Sequence, residues 1–293
     1  MSYFFQQLVN GLSDGMVYAG MALALVVVFH GSGILNIAQG EMATFSAYLA
    51  WAASSAHLPW PIVIVGVVAL SFVLGVGIER VFIKPVERAT ELNSLIVTLA
   101  VLLLTEAVIG SIWGFLPRSV PSPFGDGATH LGGVTITHQQ IGAAVTLAVL
   151  LALLYGFFQR TAVGIRMRAA TDNAESARLL GVRVGWMLAL GWGLAAAMGG
   201  VVGILAAPQF GLDDSIFLNV MLYAFAAATL GGLTSMPGAV IGGLVIGVTQ
   251  TMSGAYVSFI GSELNVIVPF VLILAVLLIR PAGLLGRETT GRV

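Results

Sequence analysis

The sequence predicts an all-α fold, a polytopic bundle of about eight to ten transmembrane helices with glycine-broken segments. Three observations carry that expectation. Of 293 residues, 58% are hydrophobic and only 9% charged, whereas a soluble domain carries about 25% charged residues. Uncharged runs cover residues 15–40, 42–78, 127–159, 184–212 and 215–262, and since one pass needs about 20 apolar residues, several of them are long enough for two. Eleven of the twelve cationic residues fall in three short segments: Arg80, Lys84 and Arg88; Arg160, Arg166, Arg168, Arg178 and Arg183; Arg280, Arg287 and Arg292.

In chain order, apolar length and breaker residues place helices near 8–29, 34–55, 62–83, 92–115, 139–159, 186–207, 219–230, 237–253 and 264–279. Alternating passes put all three basic segments on one face and leave Arg118 on the other, and cationic loops mark the cytoplasmic side. The C-terminus is then cytoplasmic and the N-terminus external. Residues 1–10 lack a cationic leader, so the first apolar segment is expected to be retained. The connection 116–137, with Pro117, Pro121 and Pro123, is external and cannot be helical.

Small residues recur at four-residue spacing, as in Gly11 and Gly15, Gly110 and Gly114, Gly199 and Gly203, Gly238 and Gly242, and Gly243 and Gly247. Such spacing lets helix backbones approach closely in lipid. Two glycine-rich stretches read as helix breaks: His30-Gly31-Ser32-Gly33 before Asn36, and Gly231 to Gly238 with Gly232 and Pro237. Interrupted helices can border a transport site. If the second stretch only dips into the bilayer, the number of passes changes.

Several chemistries are excluded. The only lysine, Lys84, precedes Pro85, so no phosphate-cradling Gly-Lys-Ser/Thr loop exists and any ATP site lies on another polypeptide. There is no cysteine, and His30, His57, His130 and His138 are scattered without metal-ligand spacing. A net charge of -1 gives no overall basic field for nucleic acid. No catalytic motif supports an enzyme, and a carrier or channel driven by an ion gradient would need intramembrane carboxylates with partners. The candidates are Asp14 and Glu41, close to expected helix ends, and Glu106, deeper, which either bonds a neighbouring helix or lines an aqueous route.

The cytoplasmic loop 160–185 carries the most information. Asp172 and Glu175 have N-capping spacing, Gly181 is a natural stop, and a short helix is expected over 173–180 from Asn173 to Leu180. Ala174, Ala177 and Leu180 would form a small apolar stripe beside a Glu175–Arg178 flank, suited to a groove on a partner. A solvated connector would read similarly.

The runs Gly11-Leu12-Ser13-Asp14-Gly15, Asn36-Ile37-Ala38-Gln39-Gly40-Glu41, Arg168-Ala169-Ala170 with Leu180-Gly181-Val182, Leu230-Gly231-Gly232-Leu233 with Pro237-Gly238-Ala239, and Arg280-Pro281-Ala282-Gly283-Leu284-Leu285-Gly286 together resemble the branched-chain amino acid (LIV-type) ABC transporter permeases. Gln39 stands where many relatives carry histidine. The resemblance implies a bacterial inner-membrane subunit that forms half of a translocation pathway for branched-chain or related amino acids. It also implies two cytoplasmic ATP-binding subunits holding ATP-Mg, a second related permease and a periplasmic solute-binding protein. No cofactor is expected in this chain. Asp172, Asn173, Ala174, Glu175, Ala177, Arg178, Leu180 and Gly181 then correspond to the coupling helix, and Asn36, Gln39, Glu41, Glu106, Gly231, Gly232, Pro237 and Gly238 are the pathway or gate candidates. An importer of urea, amides, other carboxylic acids or pentoses would be built alike.

Overall fold

The computed structural model describes residues 2–86, 90–114, 116–213, 216–257, 267–280 and 282–286. Arg88, Arg287, Arg292, Pro281 and the first residues of the ninth expected helix lie outside them. Each expected apolar segment is a helix: α1 (Ser2–Ser32), α2 (Gln39–Ser55), α3 (Trp60–Ile78), α4 (Glu91–Trp113), α5 (His138–Arg160), α8 (Val184–Phe210), α9 (Ile216–Gly231), α10 (Met236–Tyr256) and α11 (Ile267–Ile279). Two shorter helices, α6 (Ala162–Asp172) and α7 (Ala174–Leu179), fill the loop between α5 and α8. Among the described residues six helices are long and apolar enough to cross a membrane, namely α1, α3, α4, α5, α8 and α10. The remaining main helices, α2, α9 and α11, are shorter over their described residues.

The nine main helices alternate in direction. At one end His30, closing α1, meets Thr234 in the α9–α10 turn, and Arg168 of α6 donates to Gln159 at the end of α5. At the other end Gln6 near the start of α1 donates to the Thr135 carbonyl, and Arg118 and Leu212 exchange backbone hydrogen bonds. The described cations Arg80, Lys84 and those of 160–183 thus share a basic end, and Arg118 lies opposite, as alternation requires. The connection between α4 and α5 contains a small antiparallel hairpin, β1 (Ala128–Leu131) with β2 (Val134–Thr137). Its turn residues Gly132 and Gly133 both have positive φ, the geometry a two-residue hairpin demands.

Glycine spacing becomes packing at the centre. A Cβ on Gly247 would overlap Gly15, and one on Gly243 would overlap Ala19, so α1 and α10 touch backbone to backbone. Gly199 and Gly203 admit Gln39 and Ala43 of α2 against α8 in the same way. Gly114 behaves differently: α4 is largely exposed, and nothing faces Gly114 within 4 Å. The buried centre, including Met21, Leu25, Tyr48, Phe217 and Ile246, is enclosed by α1, α2, α8, α9 and α10.

Candidate functional site

The connection between α5 and α8 is a built surface feature. α7 starts on Asn173, whose side-chain carbonyl accepts the Ser176 N–H at 2.8 Å. The cap thus falls one residue later than the Asp172 and Glu175 pattern predicts. Asp172 is the last residue of α6, and the extended backbone of Asn173, φ -156 and ψ 94, puts the cap one residue later. At the other end the Gly181 N–H bonds the Arg178 carbonyl and the Val182 N–H bonds that of Ala177, each at 3.0 Å, with Gly181 at φ +81. This double closure needs a left-handed residue, which glycine adopts without a Cβ clash.

The expected apolar stripe divides in two. Ala177 is 2% exposed and packs with Ala170, Val184 and Leu188, with Ala174 beside them, so these alanines anchor α7 to its own chain. Leu179 and Leu180 are 86% and 83% exposed, next to exposed Glu175 and Arg178. A leucine pair held out on a short, doubly capped helix keeps its geometry when another surface presses on it.

The first group of gate candidates is buried. Asn36 and Gln39 are both fully buried; Asn36 Nδ2 donates to Gln39 Oε1 at 3.0 Å, and Gln39 Nε2 donates to the Ala195 carbonyl at 2.9 Å. The six-residue link between α1 and α2 is thereby pinned to α8. Glu41 is buried in the first turn of α2, where the helix N-terminus favours a carboxylate.

The second group forms a backbone knot. Gly231 and Gly238 face each other so closely that a Cβ on either would overlap the other's carbonyl. Ser235 caps α10 by accepting the Gly238 N–H at 3.1 Å, with Pro237 in the first turn. The last carbonyls of α9, on Leu230 and Gly231, accept the N–H groups of Leu284 at 2.8 Å and Leu285 at 3.0 Å. The stretch from Gly231 to Gly238, Gly232 included, is thus an antiparallel helix turn closed by the 282–286 segment, at the basic end and in contact with His30.

Glu106 sits apart from both groups. On α4 the buried side follows Ser94, Thr98, Val101 and Ile109, while Leu99, Leu103, Leu104 and Ile112 are exposed. Glu106 is half-buried at the border between the two sides.

Asp14 lies well inside α1, not near a helix end as expected. It accepts from Gln209 Nε2 at 2.6 Å and from Thr251 Oγ1 at 3.4 Å, and Ser13 donates to Gln209 at 3.2 Å. Sequence reasoning took the helix to start at residue 8, which placed Asp14 too near its end, and it missed Gln209. An amide in the otherwise apolar last turn of α8 was the available signal. Among the described residues no group of three His, Asp or Glu could hold a metal ion.

Compared with known proteins, residues 7–277 match the family described as "Branched-chain amino acid transport system / permease component". The chain belongs to this permease family. A high-affinity branched-chain amino acid transport system permease protein, LivH of Salmonella typhimurium, is 31% identical over 99% of this chain and 98% of its own length. BraD of Pseudomonas aeruginosa, named in the same words, is 32% identical over the same shares. Among solved structures, PsaBC from Streptococcus pneumoniae in complex with Fab shares the fold, with a TM-score of 0.51 over 93% of this chain and 91% of that one at 13% identity. The permease family is thus joined here to a multi-pass helical bundle, and the matched residues take in both glycine-rich turns and the α7 knob.

Proposed function

We propose that this permease-family chain is the membrane-spanning subunit of a bacterial ABC importer in the inner membrane. It forms half of the pathway for branched-chain or related amino acids, the substrates named for LivH and BraD. The observation that carries the reading is the α7 knob: exposed Leu179 and Leu180, rigidly capped, on a chain whose sequence has no phosphate-binding loop. Such a knob takes up a stroke made elsewhere. The energy source is ATP-Mg on two separate cytoplasmic subunits, and the basic end of the bundle faces them. The N-terminus and the hairpin then face outward, toward a periplasmic solute-binding protein.

The pathway runs along α4, where a second related permease docks. A carboxylate at membrane depth is costly unless protein or water covers it, and Glu106 borders a broad exposed apolar surface of its own chain. Movement of α7 passes to α8 through Ala177, Val184 and Leu188, and from α8 through the Gln39 to Ala195 bond to the α1–α2 link. Gating there and at the Gly231 to Gly238 turn alternates access.

Purification from the native membrane on a tag attached to this chain should recover ATP-binding subunits and a sister permease. Leu180→Asp should abolish leucine uptake and its stimulation of ATPase activity while the amount of this chain in the membrane is unchanged. Normal uptake by that variant would refute the coupling assignment.

A further inference from the structure

The basic end holds a cavity of about 460 Å³ between the α1–α2 link, the end of α3, the start of α4 and α8. That size is in the range that encloses one small ligand. Five side chains with a polar atom line it: Ser32, whose hydroxyl is already spent on the Val28 carbonyl, and Glu79, Lys84, Ser94 and Trp192. Trp192 is 1% exposed, and its indole Nε1–H is buried without a hydrogen-bond partner. An unmet buried donor is expensive, and here it borders a cleft open on one side. Glu79, also 1% exposed, is held 3.5 Å from Arg80 Nε, and Arg80 stacks 4.3 Å from the Trp186 ring centroid. The α3 helix widens into a π turn over Glu79–Ile83, and the residues at both ends of that turn line the cavity. π turns recur at functional sites because they displace side chains from the regular helical register. The rest of the wall is aliphatic and aromatic, including Phe29, Leu35 and Leu188.

One carboxylate, one ammonium, one unmet N–H and an apolar wall are the complement of an aliphatic α-amino acid in its zwitterionic form. From this we infer that the cavity is an inner binding site for such an amino acid, on the side where transported solute is released. Glu79 accepts from the ligand ammonium, Trp192 Nε1 and the exposed Lys84 donate to its carboxylate, and the wall takes the side chain. The choice of ligand class rests on the proposed function, but the site itself belongs to this chain alone. Because the α1–α2 link forms part of the wall, a bound amino acid would hold that link in place, and internal solute would slow turnover.

The test is equilibrium dialysis of radiolabelled leucine against the assembly recovered on this chain, in nanodiscs and without solute-binding protein. Leucine uptake is measured in parallel on vesicles loaded with or without leucine. Saturable binding is expected that Trp192→Phe and Lys84→Gln each weaken about tenfold, the value of one lost hydrogen bond to a charged group, and that Leu188→Trp abolishes by filling the cavity. Neither isocaproate, which lacks the ammonium, nor leucinamide, which lacks the carboxylate, should compete. Lys84 is exposed, so its substitution reads binding even where a core variant misfolds. Absence of leucine binding, binding unchanged in all three variants, or equal competition by isocaproate would overturn the inference. Failure of the assembly to take up leucine would instead count against the proposed substrate, since the dialysis decides the inner site independently.

Discussion

At the residue scale, polar side chains in this bundle act mainly as pins, because lipid offers a buried amide or hydroxyl no alternative partner. Gln39 shows the consequence. Its side chain joins the α1–α2 link to α8 through Asn36 and Ala195, and Gln39→Ala removes both bonds inside a fully buried site. We expect a loss of about 1–3 kcal/mol, seen as a lower unfolding temperature in detergent with reduced uptake. Unchanged stability would mean that the bonds contribute nothing. On the proposed pathway Glu106 should respond in the opposite way, because there its burden is a charge and its benefit is transport. Glu106→Leu is expected to hold or raise thermal stability while lowering uptake by about tenfold or more, with Glu106→Gln in between. Uptake at the parent rate in the leucine variant would remove Glu106 from the pathway.

At the element scale, the α1–α10 seam decides the architecture. The two helices lie so close that Gly15 and Gly247 have no room for a methyl group, and dispersion between backbones supplies the attraction that hydrophobicity cannot provide in lipid. Gly247→Val should cost about 3 kcal/mol through overpacking and appear as aggregated or degraded protein on size-exclusion chromatography. Gly114→Ala is the contrasting case: nothing faces that position, so only the strain of its positive φ of 76° is added. The short elements show where local pattern reading stops. Gly181 was a reliable stop because its left-handed conformation is a local property. The Asp172 and Glu175 cap was misread because two adjacent residues both had capping chemistry, and the turn between α6 and α7 selected Asn173.

At the scale of the whole molecule, alternation gathers the described basic segments at one end and Arg118 at the other, where its guanidinium stacks 4.1 Å from Trp51. The absence of cysteine makes the proposed orientation easy to check. Leu180→Cys should react with a membrane-impermeant maleimide only from the cytoplasmic side, and Ser122→Cys only from the periplasmic side of intact cells. The reverse pattern would invert the topology and detach α7 from any cytoplasmic ATPase.

The nine apolar helices, their alternating direction and the position of α7 were legible in the sequence, whereas α6 was not; each legible feature depends on local properties: the length of an apolar run, the placement of cations, and the backbone freedom of a glycine. The family resemblance drew on the same short motifs. What those motifs do to one another was decided only by the tertiary structure. The two glycine-rich turns meet through His30 and Thr234, the 282–286 segment closes α9, Ala177 faces inward while Leu179 and Leu180 face out, and Trp192 is left with an unmet donor beside a cavity. These are contacts between residues far apart in the chain. Periodicity assigns a side chain to a face of its own helix, whereas the identity of the facing helix, and whether a polar atom finds a partner there, depends on packing the whole bundle at once.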